Sequence, residues 1–163
     1  MVVVIFGLPG TGKSYFASRL AEKIKAAYIS SDEVRFELIK ERTYDEEEKM
    51  AVYRKMLDMT VQLLKKDNHV VLDGTFYKEE LRRAFIKKAG LMKVDIFFIE
   101  VVAEDMLIQE RISRHRPDSE ADYMVHMKVK EVFEPMTKRH LILKSTADNI
   151  DEMLAVAMLH LAQ

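Results

Sequence analysis

The sequence predicts an α/β protein with a five-stranded parallel sheet and helices on both faces. Short apolar runs recur at Val2–Phe6, Ala27–Ile29, Val70–Leu72, Val94–Val101 and Leu141–Leu143. Each is too short for a helix and several are rich in β-branched residues, the signature of buried strands. Amphipathic stretches lie between them, so strands and helices alternate. That order gives right-handed crossovers and puts ligands at the carboxyl ends of the strands.

Two helical faces stand out. Tyr53, Met56, Leu57, Thr60, Leu63 and Leu64 mark one, and Ile150, Met153, Leu154, Ala157, Met158 and Leu161 the other. Thr43 with Glu46 reads as a capping box opening the first of these, which is expected to run to about Lys66. The acidic run Asp45–Glu48 then reads as the solvated, dipole-favoured start of that helix. The eleven methionines are expected to fill irregular gaps in the core. No internal repeat or Gly/Ser/Pro-rich linker interrupts the chain, and the three prolines are scattered. One domain over residues 1–163 is expected.

Composition removes several function classes. No apolar run approaches the ~20 residues of a membrane span. The start lacks the basic segment and small-residue cleavage site of a secretory signal, which leaves a cytoplasmic location as the expectation. With no cysteine there is no disulfide framework and no thiolate chemistry. A net charge of -1 argues against a broad nucleic-acid footprint. The five histidines have no paired metal-ligand spacing; His115 alone sits in a segment of interest.

The strongest motif is Gly7-Leu8-Pro9-Gly10-Thr11-Gly12-Lys13-Ser14, a full G-x-x-x-x-G-K-[ST] directly after a strand and before a helical stretch. Its glycines let the backbone turn tightly and bring N–H groups to phosphate oxygens, with the next helix adding its positive end. Lys13 is expected on the β- and γ-phosphates and the Ser14 hydroxyl on Mg²⁺. Gly7, Pro9, Gly10, Thr11, Gly12 and Tyr15 complete the expected binding segment for ATP, with GTP as the other nucleotide. The strings that read guanine or form a GTPase switch do not occur, and an AAA+ motor ordinarily needs a longer chain. A small kinase is what remains.

The second site lies after the second strand, in Ser30-Ser31-Asp32-Glu33-Val34-Arg35. Asp32 and Arg35 fall one turn apart on one helical face, a carboxylate to take or orient a hydroxyl proton and an arginine to hold the acceptor. Ser30 with Glu33 also fits a capping box. Asp73 ends the Val70–Leu72 strand, where such proteins hold a Mg²⁺-bound water; Glu100 is a weaker competitor. Arg111, Arg114 and Arg116, followed by Pro117-Asp118-Ser119, read as a small arginine-bearing lid over about 111–122, able to close on the triphosphate and neutralise charge.

GLPGTGKS, SSDEVR, VVLDGTF with Arg82 and Arg83 in the next helix, ERISRHR and EVFEP resemble, in that order, small P-loop kinases related to polynucleotide 5′-kinases, zeta toxins, chloramphenicol phosphotransferase and gluconate kinase. The resemblance spans Val2 to about Ser145. It implies that Asp32 activates the acceptor hydroxyl, that Arg35 is its substrate-side partner and that Arg114 is the lid arginine, with Arg111 beside it. Many relatives carry an Asp near the last strand, whereas this chain reads Leu141-Ile142-Leu143-Lys144-Ser145.

The expected activity is transfer of the terminal phosphoryl group of ATP to a hydroxyl on a small molecule or nucleotide. The alternatives are a 5′-OH polynucleotide kinase, with Arg82 and Arg83 lining a groove for a nucleic-acid 5′ end, and a nucleotide-hydrolysing switch or adaptor. Asp32 and Arg35 favour the kinase, because a pure switch needs neither.

Overall fold

The computed structural model describes residues 1–41, 43, 45–115 and 119–163, and the side chains of these apart from 115 and 119–122. Among the described residues the elements are β1 (Val2–Phe6), α1 (Lys13–Lys23), β2 (Ala27–Ser30), α2 (Ser31–Leu38), α3 (Glu46–Leu64), β3 (Val70–Asp73), α4 (Glu79–Met92), β4 (Ile96–Val102), α5 (Asp105–His115), α6 (Ser119–Val132), β5 (Leu141–Lys144) and α7 (Ile150–Leu161). The strands form one sheet in the order β2-β3-β1-β4-β5, and every adjacent pair is parallel. The expected fold is the observed one.

Adjacent strand residues feed opposite cores. Phe6, Ile29, Leu72 and Phe98 meet Val52, Met56 and Phe85 on one face. Ile5, Val71 and Ile99 meet Phe16, Leu20 and Leu154 on the other. All five residues of β1 are at most 2% exposed, and each Val, Ile or Phe so buried contributes roughly 1.5–3 kcal/mol. The central strand that leads into the glycine loop is thus anchored along its whole length. Met56 and Met153 do fill core positions, but Met106 and Met124 lie exposed on α5 and α6.

Three boundaries differ from the sequence reading. The cap of α3 is Asp45, whose side chain accepts from the Glu48 amide at 2.8 Å. Thr43 instead donates its hydroxyl to Asp45 and Glu48. The capping pair is therefore shifted by two residues, because both pairs satisfy the same spacing and the second also gives Glu48 a buried partner. At α2, Ser30 is the N-cap but its side chain makes no capping bond. β4 starts at Ile96, since Lys93 turns left-handed at φ 54° to end α4 and the Val94 amide is spent on the Ala89 carbonyl. Among the described residues no helix is long and apolar enough to cross a membrane.

Candidate active site

The loop between β1 and α1 has the backbone its glycines imply. Gly7, Gly10 and Gly12 sit at φ 144°, 84° and 87°, and Gly12 caps α1. A Cβ on Gly7 would lie 2.4 Å from the Val101 carbonyl oxygen, and one on Gly12 would lie 2.9 Å from the Arg111 guanidinium. Gly7 therefore requires glycine on both counts, conformation and space, and Gly12 on conformation. Thr11 donates to the Leu8 carbonyl at 2.9 Å, and Lys13 Nζ donates to the same oxygen at 3.2 Å. Lys13 thus lies folded over the loop. Tyr15 stands 56% exposed at the first turn of α1, with the Arg19 guanidinium 5.2 Å from its ring centroid.

Asp73 ends β3 beside Ile5 of β1 and Ser30 of β2. It is 2% exposed, accepts from the Tyr28 hydroxyl at 2.9 Å through Oδ2, and has no hydrogen-bond partner at the buried Oδ1. Burial pushes its pKa up, against the opposing pull of Lys13, Ser14 and Tyr28. Burial and the Asp73 charge push the Tyr28 phenol up as well, so Tyr28 remains the donor. An orphaned carboxylate oxygen beside a serine hydroxyl and a lysine is an oxygen-donor set of the kind a hard divalent cation takes, so the residues present fit Mg²⁺. Glu100, the weaker competitor, is engaged with His140 Nε2 at 3.1 Å.

Asp32 presents the opposite environment. Its side chain is 86% exposed, with the Arg35 guanidinium 3.4 Å away, while its charge still reaches Asp73 and raises that pKa. Arg35 is held from behind by Glu48, Nε to Oε1 at 3.0 Å, in a pair whose side chains are 13% and 5% exposed. Glu48 is the Arg35 partner that the sequence reading does not find. The sequence reads it as part of a solvated helix start, but α3 folds back so that Glu48 faces α2. Glu46 is also engaged, accepting from Tyr77 and Lys78, and the lysine holds its pKa down at about 2.

The turn after Asp73 carries a second unread feature. Phe76 adopts φ 43° while fully buried, and its amide donates to the Tyr53 hydroxyl at 2.9 Å, which also meets Thr75 Oγ1 at 3.1 Å. A non-glycine residue in that region is strained, and the tyrosine on α3 is what holds it.

The expected arginines separate. Arg111 is clamped, donating to the Thr11 carbonyl at 2.9 Å, to Ser145 Oγ at 3.0 Å and to the Thr146 carbonyl at 2.8 Å. Burial lowers its pKa from the usual arginine value. Arg114 is 71% exposed and paired with Glu110 one turn back on α5. Of the expected lid, Arg116, Pro117 and Asp118 lie outside the described residues, as do the side chains of His115 and Ser119. Arg82 is 1% exposed, donates to the Glu134 carbonyl at 2.7 Å and lies over the Phe6 ring, so it borders a small pocket with Arg83 but offers almost no surface there. Arg83 is paired with Glu79 on the surface.

A protein family described as an AAA domain matches residues 2–136. The chain belongs to that family. The match covers the glycine loop, Asp32, Asp73 and both helices of the α5–α6 pair, and it shows the domain. Solved structures with the same fold include kinases. A sugar kinase from Janibacter sp. HTCC2649 superposes with TM-score 0.76 at 13% identity, over 99% of this chain and 94% of that one. The APS kinase of Mycobacterium tuberculosis, solved with AMPPNP and APS, gives 0.76 at 19% identity, covering 99% and 97%. A gluconokinase from Sinorhizobium meliloti 1021 gives 0.73 at 16%, covering 99% and 91%. At these identities the likeness is one of fold.

Proposed function

We propose that this AAA-domain protein is a P-loop kinase, one catalytic unit over residues 1–163 with 111–122 as its lid, that passes the terminal phosphoryl group of ATP or GTP to a hydroxyl of a small molecule or nucleotide. The observation that carries this reading is the contrast between two carboxylates at neighbouring strand ends. Asp73 is buried beside Lys13 with one oxygen unpartnered; Asp32 is exposed and aligned by an arginine that a buried glutamate holds in turn. Opposite environments suit opposite tasks. The kinases that share the fold, one of them solved with AMPPNP, support the same class.

In this mechanism the loop amides and Lys13 bind the β- and γ-phosphates, Lys13 leaving the Leu8 carbonyl as they arrive. Ser14 and Asp73 would hold Mg²⁺, which supplies charge neutralisation across the β- and γ-phosphates when bound. Asp32 takes or orients the proton of the acceptor hydroxyl, with Arg35 fixing its direction. Arg114 exchanges Glu110 for the transferring phosphoryl group, a group on which positive charge counts most in the transition state. The net charge of -1 favours a compact acceptor over a long strand.

The test is a panel of nucleosides, sugars, antibiotics and 5′-OH oligonucleotides incubated with γ-labelled ATP. Labelled product from a compact acceptor is expected, at rates that level off after one or two nucleotides in the oligonucleotide series. Efficiency that rises with length and collapses with salt would make the protein a polynucleotide kinase. Slow hydrolysis that no hydroxyl compound stimulates would make it a switch.

A further inference from the structure

The cradle works by aiming backbone N–H groups at an anion, so its carbonyls must be kept turned away. Two are held by the loop itself or by the helix after it. Leu8 O accepts from Thr11 and Lys13, and Gly12 O accepts from the Phe16 amide. Two are held from outside: Thr11 O by Arg111 of α5, and Pro9 O by the Nδ1 of His126 on α6, 2.8 Å away and 117 residues on in the chain.

The Pro9–Gly10 peptide is the weak point of such a cradle. Proline fixes its own φ but leaves ψ free, and the next residue is a glycine at φ 84°, which accepts either orientation of the peptide. A flip of that one unit would turn an amide out of the cradle and a carbonyl into it. We propose that His126 is a positioning residue for phosphate binding, its Nδ1–H locking the Pro9–Gly10 peptide in the orientation that keeps the Gly10 amide available to a phosphate oxygen. The inference rests on the reading of the loop as a phosphate cradle and goes beyond it by naming a residue of α6 that shapes the loop without touching the ligand.

The surroundings of His126 are built for this. The residue is 1% exposed. Tyr123 stacks on its ring at 5.8 Å and 13°, and the Tyr123 hydroxyl accepts from Gln109 of α5 at 3.0 Å. A carbonyl only accepts, so Nδ1 carries the proton. The ring is thus fixed in plane and tautomer by a partner on each side.

The experiment compares the wild type with His126→Phe, which keeps a stacked ring and removes the donor, and His126→Asn, whose amide nitrogen can stand in for Nδ1. Competition against a fluorescent ATP analogue reads the affinities for ATP and for inorganic tripolyphosphate, which senses the cradle alone. His126→Phe is expected to weaken both by a common factor of about tenfold, and His126→Asn to stay within about twofold of wild type. Equal losses in the two variants, or a folded His126→Phe that binds tripolyphosphate as wild type does, would overturn the proposal. A ¹⁵N spectrum of the wild type tests the bond without substitution: a protonated Nδ1 in slow exchange is expected, and an unprotonated one overturns the assignment. Failure of the wild type to bind either ATP or tripolyphosphate would remove the cradle reading itself, and the lock with it.

Discussion

The proposed phosphate end and the proposed acceptor end of this site are built to different standards. At the phosphate end, backbone is held by backbone: β1 is buried throughout, the loop after it passes so close to the Val101 carbonyl that Gly7 has no room for a side chain, and the neighbouring carboxylate is enclosed. At the acceptor end a single exposed aspartate stands on an eight-residue helix, steered by one arginine. The difference teaches where specificity can change. A cradle that must fit the same triphosphate tolerates little variation, whereas a short helix braced by one ion pair, Arg35 with Glu48, can carry different side chains without disturbing the sheet.

The comparison can be broken at either end, and the largest effect is expected at Lys13. Lys13→Ala should abolish phosphoryl transfer and leave the melting curve unchanged, because the ammonium meets the loop surface and not the core. Normal turnover in a folded variant would end the phosphate-end reading. Next, Asp32→Asn should slow transfer by ~10²–10⁴-fold with nucleotide affinity nearly unchanged, and an 86% exposed side chain predicts almost no loss of stability. Weak nucleotide binding with normal chemistry would assign Asp32 to the phosphate end instead.

Asp73 sharpens the contrast through pH. Its pKa is raised by burial, so its contribution to folding is fully present below the unfolded carboxylate pKa and is lost as pH rises through the folded value. Without Mg²⁺, Asp73→Asn should therefore melt higher than wild type at pH 8, by an amount on the order of 1 kcal/mol, and the difference should vanish near pH 4. The same variant should raise the Mg²⁺ concentration needed for turnover. A melting difference that grows as pH falls would contradict the buried-carboxylate account. The smallest effect is expected at Arg114: Arg114→Ala should lower the maximal rate more than it weakens ground-state nucleotide binding, since its partner in the absence of ligand is Glu110. Equal losses would make it an ordinary binding residue.

The phosphate end was largely legible in the sequence and the acceptor end only half so. Each strand announced itself as an apolar run, and Gly7, Gly10 and Gly12 fall where the chain needs positive φ. Those are local demands, written in neighbouring residues. Asp32 and Arg35 were legible for the same reason, being one turn apart. Glu48 was not, because Asp45–Glu48 reads as any acidic helix start until α3 is laid against α2. His126 and Pro9 are 117 residues apart, and nothing in either segment names the other. Arg111 was legible as a site residue, but its attachment to Thr11 and Ser145 depends on where β5 ends.

The attachment of α6 at its far end gives His126 a mechanical meaning. Just beyond the helix, the Glu134 amide donates to Tyr77 O, the Glu134 carboxylate accepts from the Glu79 amide, and Arg82 donates to the Glu134 carbonyl. Those bonds make the Glu134 end a pivot. At 1.5 Å per residue, His126 sits ~12 Å from Glu134 and the start of α6 at residue 119 sits ~22 Å from it. His126 therefore ties the Pro9 carbonyl to α6 between these two points, nearer the anchored end than the helix start.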